Sequence, residues 1–195
     1  ELMRGYANSP GMCTILLMRH AKSSCSDPDL DDHERPLNDR GIAASKRMAK
    51  WMEQHGEIPD FVLTSTARRA KDTWQLVSQA LNLDVPSAEV SDMYLAGPDA
   101  MLNVVRSRVP KGTKKLLLIG HQPGISSFAR LMANSSARAS RARAYQRFPT
   151  AALAIAPAWG MSFADVLLFG TPLYVMFALR ALAAGRRGER TARLH

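Results

Sequence analysis

A chain of 195 residues, 46% hydrophobic and 22% charged, can bury one core and is too apolar to be intrinsically disordered. Its formal net charge of +9 is unevenly placed, because residues 134–195 carry nine arginines against two acids. This asymmetry indicates an anionic substrate or surface, although a solvated Arg-rich segment is the simpler interpretation. The two cysteines, Cys13 and Cys25, form neither a disulfide framework nor a zinc-ligand spacing, so we expect a cytoplasmic protein.

Both ends of the chain differ in character from its middle. Residues 1–11 are polar and turn-rich, and we expect them to be a leader or an expression remnant rather than a signal peptide. A single domain is expected over residues 12–182, followed by a basic tail over residues 183–195. The most apolar stretch, residues 166–179, is interrupted by glycine and proline and is too short to cross a bilayer, so no membrane partner is expected.

The first predicted strand leads directly into an Arg-His pair. Residues 13–18 (CTILLM) form a continuous apolar run, which predicts a strand buried on both faces and ending at Arg19 and His20. An acidic loop follows over residues 27–34. Apolar residues then recur at helical spacing over residues 42–52, and Gly56 is a natural end for that helix.

Short apolar runs and amphipathic segments alternate along the rest of the chain. Further strands are predicted at residues 61–63, 116–119, 151–156 and 173–177. Helices are predicted over residues 64–81, from Pro98 through Val109, and from Pro123 onward. This alternation favours a single α/β fold with layered helices and a mainly parallel sheet.

Three of the predicted strands end in residues that suit phosphate chemistry. They are followed by Arg19 and His20, by Thr64 and Ser65, and by Gly120 with His121. Ligands of α/β sheets bind at the carboxyl ends of strands, so we expect these side chains to converge. A neutral imidazole can attack phosphorus, and arginine binds phosphate oxygens in pairs while disfavouring a nearby imidazolium.

Several motifs together resemble the histidine phosphatase superfamily (branch 1). The segments LLMRHAKSS, TSTARRAKDT and LIGHQPG match its arginine- and histidine-bearing motifs. RHAKSS at 19–24, RPLNDRG at 35–41 and RFPTAALA at 147–154 are similar to the compact SixA-type phosphohistidine phosphatases. The resemblance covers about residues 12–182. It implies a three-layer α/β/α sandwich of the phosphoglycerate-mutase-like fold.

The resemblance also implies roles for individual residues. His20 matches the phosphorylated nucleophile, while Arg19 and Arg69 match the two phosphate-binding arginines. His121 matches the second histidine, which donates to a phosphoryl oxygen, and Ser23 follows the nucleophile at the spacing of a pocket residue. No metal or other cofactor is expected, because no His, Cys and carboxylate residues have ligand spacing.

The general acid is less well defined by the sequence. Many members of the superfamily place an acid between the second arginine and the second histidine, and Asp92 is the best candidate, with Glu89 behind it. An Asp at a loop start can equally bind its own backbone. A phosphohistidine leaves as imidazole, whose conjugate acid has a pKa of roughly 6.5, so it needs less help than an alkoxide.

Three functions stay open on this evidence. The first is a phosphatase acting on phosphohistidine in proteins or on a small phosphate ester. The second is a small-molecule phosphomonoesterase or mutase of the same superfamily, and the chain leaves little sequence for a mutase's helical insertions. The third is a phosphate- or nucleic-acid-binding protein without turnover. Nucleic acid is disfavoured because few aromatics interleave its arginines, which are Arg138, Arg141, Arg143 and Arg147.

Two minor features complete the expectations. The acidic loop is either a solvated face or a surface for a basic protein partner, and the solvated face is favoured. His33, His55 and His195 lack any motif around them and are expected to be exposed. The oligomeric state cannot be derived from the sequence.

Overall fold

Strands and helices alternate through the residues that the computed structural model describes, which are 13–132, 150–157 and 165–167. The strands are β1 (Thr14–Arg19), β2 (Phe61–Ser65), β3 (Ser87–Val90), β4 (Lys115–Gly120), β5 (Leu153–Pro157) and β6 (Asp165–Leu167). The helices are α1 (Asp39–Gln54), α2 (Arg68–Leu81), α3 (Pro98–Arg108) and α4 (Gly124–Met132). Two short 3-10 helices cover Asp32–Glu34 and Ser91–Met93.

The strands form one mixed sheet in the order β3-β2-β4-β1-β5-β6. β3, β2, β4 and β1 are parallel to one another, whereas β5 is antiparallel to both β1 and β6. The expectation of a mainly parallel sheet is therefore confirmed. The central strands β1 and β4 are fully buried along their middles, as their unbroken apolar runs predict.

Alternate side chains of the strands pack on opposite faces of the sheet. On one face, Leu16 and Met18 of β1 join the buried side chains of α1 and α2, among them Met48 and Trp74. On the other face, the odd-numbered β1 residues join α3 and α4, where Phe128 is fully buried. The two apolar clusters make the three-layer α/β/α sandwich that the resemblance implied.

The structure corrects the sequence-based elements at three places, one of which is β6, a strand that no predicted element covered. Thr64 and Ser65 complete β2, and the helix begins at Arg68 rather than at Thr64. β3 was not expected, because its sequence SAEV is polar and it lies at the edge of the sheet, where only Val90 is buried. The strand predicted at 173–177, the Arg-rich segment and both chain ends lie outside the described residues.

Two glycines allow helices to approach neighbouring backbone closely. A Cβ on Gly41 would stand 2.2 Å from the carbonyl oxygen of Lys22, so the start of α1 can rest against the loop that follows β1. A Cβ on Gly124 would stand 1.8 Å from the carbonyl oxygen of Ala96. Both distances are far below van der Waals contact with a backbone atom, so each position requires glycine. Within the described ranges, no helix is both long and apolar enough to span a membrane.

We predict that Gly124→Ala lowers the free energy of unfolding by roughly 1–3 kcal/mol, because the new methyl group must displace backbone. The matched control is Gly97→Ala, where a Cβ would meet nothing within 4 Å. That variant should change stability by less than about 1 kcal/mol. Urea unfolding of both variants measures the difference, and equal stabilities would contradict the packing argument.

Candidate active site

The sheet register brings the ends of four strands to the same edge. Arg19 at the end of β1 lies opposite Gly120 at the end of β4. On the other side of β4, Thr64 of β2 pairs with Ile119, and Ser65 at the end of β2 lies opposite Val90 of β3. The residues that follow these strands therefore enter one crevice, as expected for the carboxyl ends of parallel strands.

His20 stands at the floor of this crevice with a defined tautomer. Its backbone N–H donates to the carbonyl of Gly120 at 3.0 Å, and its side chain is buried. Its Nδ1 lies 2.7 Å from the carbonyl oxygen of Ala21. Because a carbonyl oxygen only accepts, Nδ1 carries the proton, and the lone pair of the neutral ring is on Nε2.

The surroundings of His20 hold its ring in the neutral form. Burial lowers its pKa to about 3, and the electrostatic influence of His121, Arg69 and Arg19 acts in the same direction. The hydrogen bond to the Ala21 carbonyl raises the pKa, but burial has the larger effect. The imidazole therefore keeps an unprotonated nitrogen throughout the physiological pH range.

His121 faces His20 across the crevice, with their ring centroids 5.0 Å apart. Arg69 lies 3.4 Å from Nδ1 of His121, and a guanidinium can only donate. The neutral ring of His121 therefore carries its proton on Nε2, which donates to Oγ of Ser65 at 2.8 Å. Burial, followed by the charge of Arg69, lowers the pKa of His121 to about 4, and the Asp32 carboxylate partly opposes this.

Residues 65–73 follow the pattern Ser-x-x-x-Arg-Ala-x-x-Thr, and the structure explains each of its specified residue types. Ser65 accepts from His121, Arg69 enters the crevice from the first turn of α2, and Ala70 packs in the core. The hydroxyl of Thr73 donates to the Arg69 carbonyl at 2.6 Å and accepts the backbone N–H of Ala21 at 3.0 Å. The motif thus connects α2 to the loop that carries His20.

Asp32 is a member of the site that the sequence analysis did not identify. Arg69 donates to the backbone carbonyl of Asp32 and, at 2.8 Å, to its Oδ2. The hydroxyl of Tyr94 donates to the same oxygen at 2.8 Å, and Arg35 donates to Oδ1 at 2.9 Å. Burial raises the pKa of Asp32, but the bonds from Tyr94 and Arg69 outweigh it and bring the pKa to about 2.

Aromatic rings surround the outer part of the site. Tyr94 packs edge-on against His121, with centroids 5.4 Å apart, and against His33 at 5.0 Å. His33 is half-buried, with Nε2 3.0 Å from Oγ1 of Thr66 and Nδ1 2.7 Å from a Glu34 oxygen. The expectation that His33 is exposed was therefore wrong, whereas His55 is exposed as expected.

The sequence held only weak signals for these additional residues. Asp32 and Arg35 have the three-residue spacing of an ion pair in a helical turn, and the acidic loop contains such a turn. Tyr94 stands two residues after Asp92, within the segment already suspected of supplying an acid. Neither signal predicts that Tyr94 and Arg69 both bind Asp32, because these contacts join segments far apart in the chain.

The structure brings some of the expected residues together and leaves one apart. Ser23 is buried beside the site, and its hydroxyl accepts from Arg35 at 3.3 Å. Arg19 is half-buried, and burial lowers its pKa. Asp92 is exposed, and its carboxylate accepts from Ser91 at 3.3 Å. Among the described residues, no hydrogen bond joins Asp92 to the two histidines or to Arg69, so its role stays a prediction.

The site has the donor set of an oxyanion-binding centre. Guanidinium groups and imidazoles converge at its floor, and they match the oxygens and the charge of a phosphoryl group. In the parts of the chain that the structure describes, no three His, Cys, Asp or Glu residues are grouped so that they could hold a metal ion.

Comparisons with known proteins agree with this geometry. The family model of the histidine phosphatase superfamily (branch 1) matches residues 15–90. An uncharacterized protein of Mycobacterium tuberculosis strain H37Rv is 34% identical over 140 residues, which are 71% of this chain and 85% of that protein. The chain belongs to the histidine phosphatase superfamily, branch 1.

Proteins with the name SixA are also similar. A crystal structure assigned to the phosphohistidine phosphatase SixA of Agrobacterium tumefaciens has a TM-score of 0.66 at 27% identity, covering 75% of this chain and 92% of that one. The phosphohistidine phosphatase SixA of Escherichia coli K12 is 26% identical over 110 residues, which are 56% of this chain and 67% of that protein. The phosphoglycerate-mutase-like fold is confirmed by these likenesses.

We predict that the free energy of unfolding falls as the pH drops from about 6.5 toward 4. In this range the unfolded chain protonates its histidines, whereas the folded pKa values of His20 and His121 are about 3 and about 4. Each histidine contributes a slope of up to about 1.4 kcal/mol per pH unit. Urea unfolding at several pH values measures this slope.

His20→Asn tests the assignment of that slope, because an amide can replace the Nδ1–H donor and does not titrate. The slope should decrease by up to about 1.4 kcal/mol per pH unit in this variant. The exposed His55 provides the matched control, and His55→Asn should retain the original slope. A slope that is the same in all three proteins would contradict the neutral, buried state of His20.

Proposed function

We propose that this protein is a cytoplasmic, metal-independent phosphatase that forms a covalent phosphohistidine at His20. Its substrate is a phosphohistidine in a protein or a small phosphate ester. The observation that carries the proposal is the hydrogen bond from Nδ1 of His20 to the Ala21 carbonyl, since it fixes the lone pair on Nε2. Arg19, Arg69 and His121 supply the charge and donors that a phosphoryl group needs.

The reaction consists of two displacements at phosphorus. Nε2 of His20 attacks, the N–P bond forms, and the bond from phosphorus to the leaving group breaks on the opposite side. Water then attacks phosphorus and gives a proton to the group that had protonated the leaving group, the N–P bond breaks, and inorganic phosphate leaves while Nε2 regains its lone pair. Arg19 and Arg69 bind the equatorial oxygens and stabilise their charge in both steps.

His121 changes its protonation state when a phosphoryl dianion binds. In the structure its proton is on Nε2, directed at Ser65, while Nδ1 faces Arg69. A nearby dianion raises the pKa of an imidazole, because it favours the charged form. We therefore assign His121 the role of taking up a proton with the substrate and donating it from Nδ1 to a phosphoryl oxygen.

Asp92 is assigned the role of general acid, and Ser23 that of a pocket residue. The 3-10 helix that carries Asp92 follows β3 at the site edge of the sheet, which supports a position near the departing group. A weakly positioned acid suits a phosphohistidine substrate, because imidazole is a good leaving group once protonated. A weakly positioned acid would slow the hydrolysis of an alkyl phosphate, because its alkoxide leaving group is strongly basic and needs a proton.

We predict that His20→Ala removes turnover and covalent labelling while leaving the fold intact. The physical reason is that the variant lacks the imidazole nitrogen that attacks phosphorus. Turnover of p-nitrophenyl phosphate in a strong chelator measures the first effect, and acid-labile phosphate on the quenched protein measures the second. His55→Ala is the control and should retain both. Residual activity within tenfold of the parent, or metal dependence of the chemical step, would count against the proposal.

We predict that the effect of Asp92→Asn depends on the basicity of the leaving group. An alkyl phosphate should react more slowly by roughly 10²–10⁴, the usual contribution of general acid catalysis. A phosphohistidine peptide and a nitrophenyl ester should be barely affected. Rates at saturating substrate separate chemistry from binding, and Asp99→Asn controls for charge alone. Equal slowing on all substrates would mean that Asp92 positions His20 or water instead.

One relative favours a second candidate function. A 72-residue segment is 36% identical to a phosphoglycerate mutase of Nocardia farcinica, although it covers only 28% of that protein. A mutase would transfer the phosphoryl group of His20 to an acceptor hydroxyl rather than to water. A labelled phosphoenzyme mixed with phosphoglycerates distinguishes the two, since a phosphatase releases inorganic phosphate regardless of the acceptor. A binding protein without turnover would form no phosphoenzyme.

A further inference from the structure

Asp32 lies at the solvent end of the site, directly above the phosphate-binding residues. Its side chain is 47% exposed, whereas that of its partner Arg69 is only 5% exposed. His121, which contacts both Arg69 and Tyr94, is fully buried. The two histidines and Arg69 are therefore the buried part of the site, and Asp32 is its exposed part.

The direction of the reaction places the leaving group beside Asp32. Attack on phosphorus and departure from it are in line, so the leaving group is opposite Nε2 of His20. His20 and Arg69 are buried whereas the Asp32 side chain is 47% exposed, so a group that departs to solvent leaves on the side of Asp32. A phosphoryl group on Arg69 would therefore direct its leaving group past Asp32 and Tyr94.

We propose that Asp32 determines specificity by selecting phosphoryl donors whose leaving group is neutral or cationic over donors whose leaving group is anionic. The inference rests on the proposed function and narrows its substrate class. It favours phosphorus–nitrogen compounds such as phosphohistidine, whose leaving group is an imidazole. It disfavours bisphosphates and phosphorylated carboxylic acids, whose leaving groups bring a second anion to the opening.

The carboxylate of Asp32 is fixed in place and permanently charged. Two arginines and the Tyr94 hydroxyl hold its oxygens at 2.8 to 2.9 Å, and its pKa of about 2 excludes a proton-donor role at neutral pH. The adjacent acids Asp31 and Glu34 are also exposed. An ionised carboxylate repels an anion and accepts a hydrogen bond from an imidazole N–H.

The test uses three phenyl phosphates that differ only in a charged arm. One carries a carboxymethyl group, one its neutral amide and one a trimethylammonium-methyl group, each at the same ring position, with a phosphohistidine peptide as a fourth substrate. We expect kcat/KM to fall from the cationic to the anionic ester by on the order of tenfold per unit charge. High salt should reduce this ratio, because the Asp32 side chain is half-exposed.

Three variants assign the discrimination to one carboxylate. Asp32→Asn should remove most of the charge preference, and Asp32→Glu should retain it. Asp84→Asn makes the same charge change just before β3, at the opposite end of the sheet from the site, and should leave the ratio unchanged. Thermal unfolding confirms that each variant is folded.

Each alternative outcome overturns the inference in a recognisable way. An equal loss of kcat/KM on every ester in Asp32→Asn would mean that Asp32 only orients Arg69. An equal gain of kcat/KM on every ester would mean that Asp32 only competes with the phosphoryl group for Arg69. A wild-type enzyme without charge preference would refute the inference even if no variant folds. A wild-type enzyme that hydrolyses none of the substrates would instead refute the proposed function.

Discussion

The parallel pairing of β4 with both β1 and β2 is the constraint on which the site depends. It aligns Arg19, Ser65 and Gly120 at the same edge of the sheet, so that the residues that follow each strand lie close together. The pairing is stabilised by burial of apolar side chains on both faces of the sheet, which is the main favourable contribution to folding. The geometry of the site is therefore a consequence of the core, and a slip of one residue between β1 and β4 would shift the two histidines relative to each other.

Burying several cationic groups together requires compensation. Arg69 is almost fully buried, and a buried charge is tolerated only when it is paired and hydrogen-bonded. Asp32 supplies that pairing from the outer side, while His20 and His121 reduce the repulsion by remaining neutral. The same burial that makes the site demanding to fold keeps His20, the proposed nucleophile, unprotonated. Stability and function thus draw on one electrostatic arrangement.

Two carboxylates near the opening have different physical characters. Asp32 is held by arginines and a tyrosine hydroxyl and stays ionised, whereas Asp92 is exposed beside Ser91. In the proposed reaction the ionised carboxylate selects among leaving groups, and a separate acid is needed only when the leaving group is basic. A fixed anion and a weakly positioned acid are compatible with the proposed cleavage of phosphorus–nitrogen bonds, and these two roles stay proposals.

The sequence by itself determined the layered fold and most of the floor of the site. Unbroken apolar runs identify β1 and β4 because strands buried on both faces have no polar side to show. The position of Arg19 and His20 directly after such a run is likewise a local property. By contrast, β3 is a polar edge strand. Because an edge strand is partly exposed, its sequence contains no continuous apolar run from which it could be predicted.

Only the tertiary structure decided the outer half of the site. The bond between Tyr94 and Asp32 joins residues 62 positions apart, and no local pattern specifies such a contact. The protonation state of His20 depends on burial and on the Ala21 carbonyl, both of which arise when the chain packs. Local sequence therefore predicts the strands and the residue types at their ends. The partners, tautomers and charge states of those residues depend on which distant segments the folded core brings into contact.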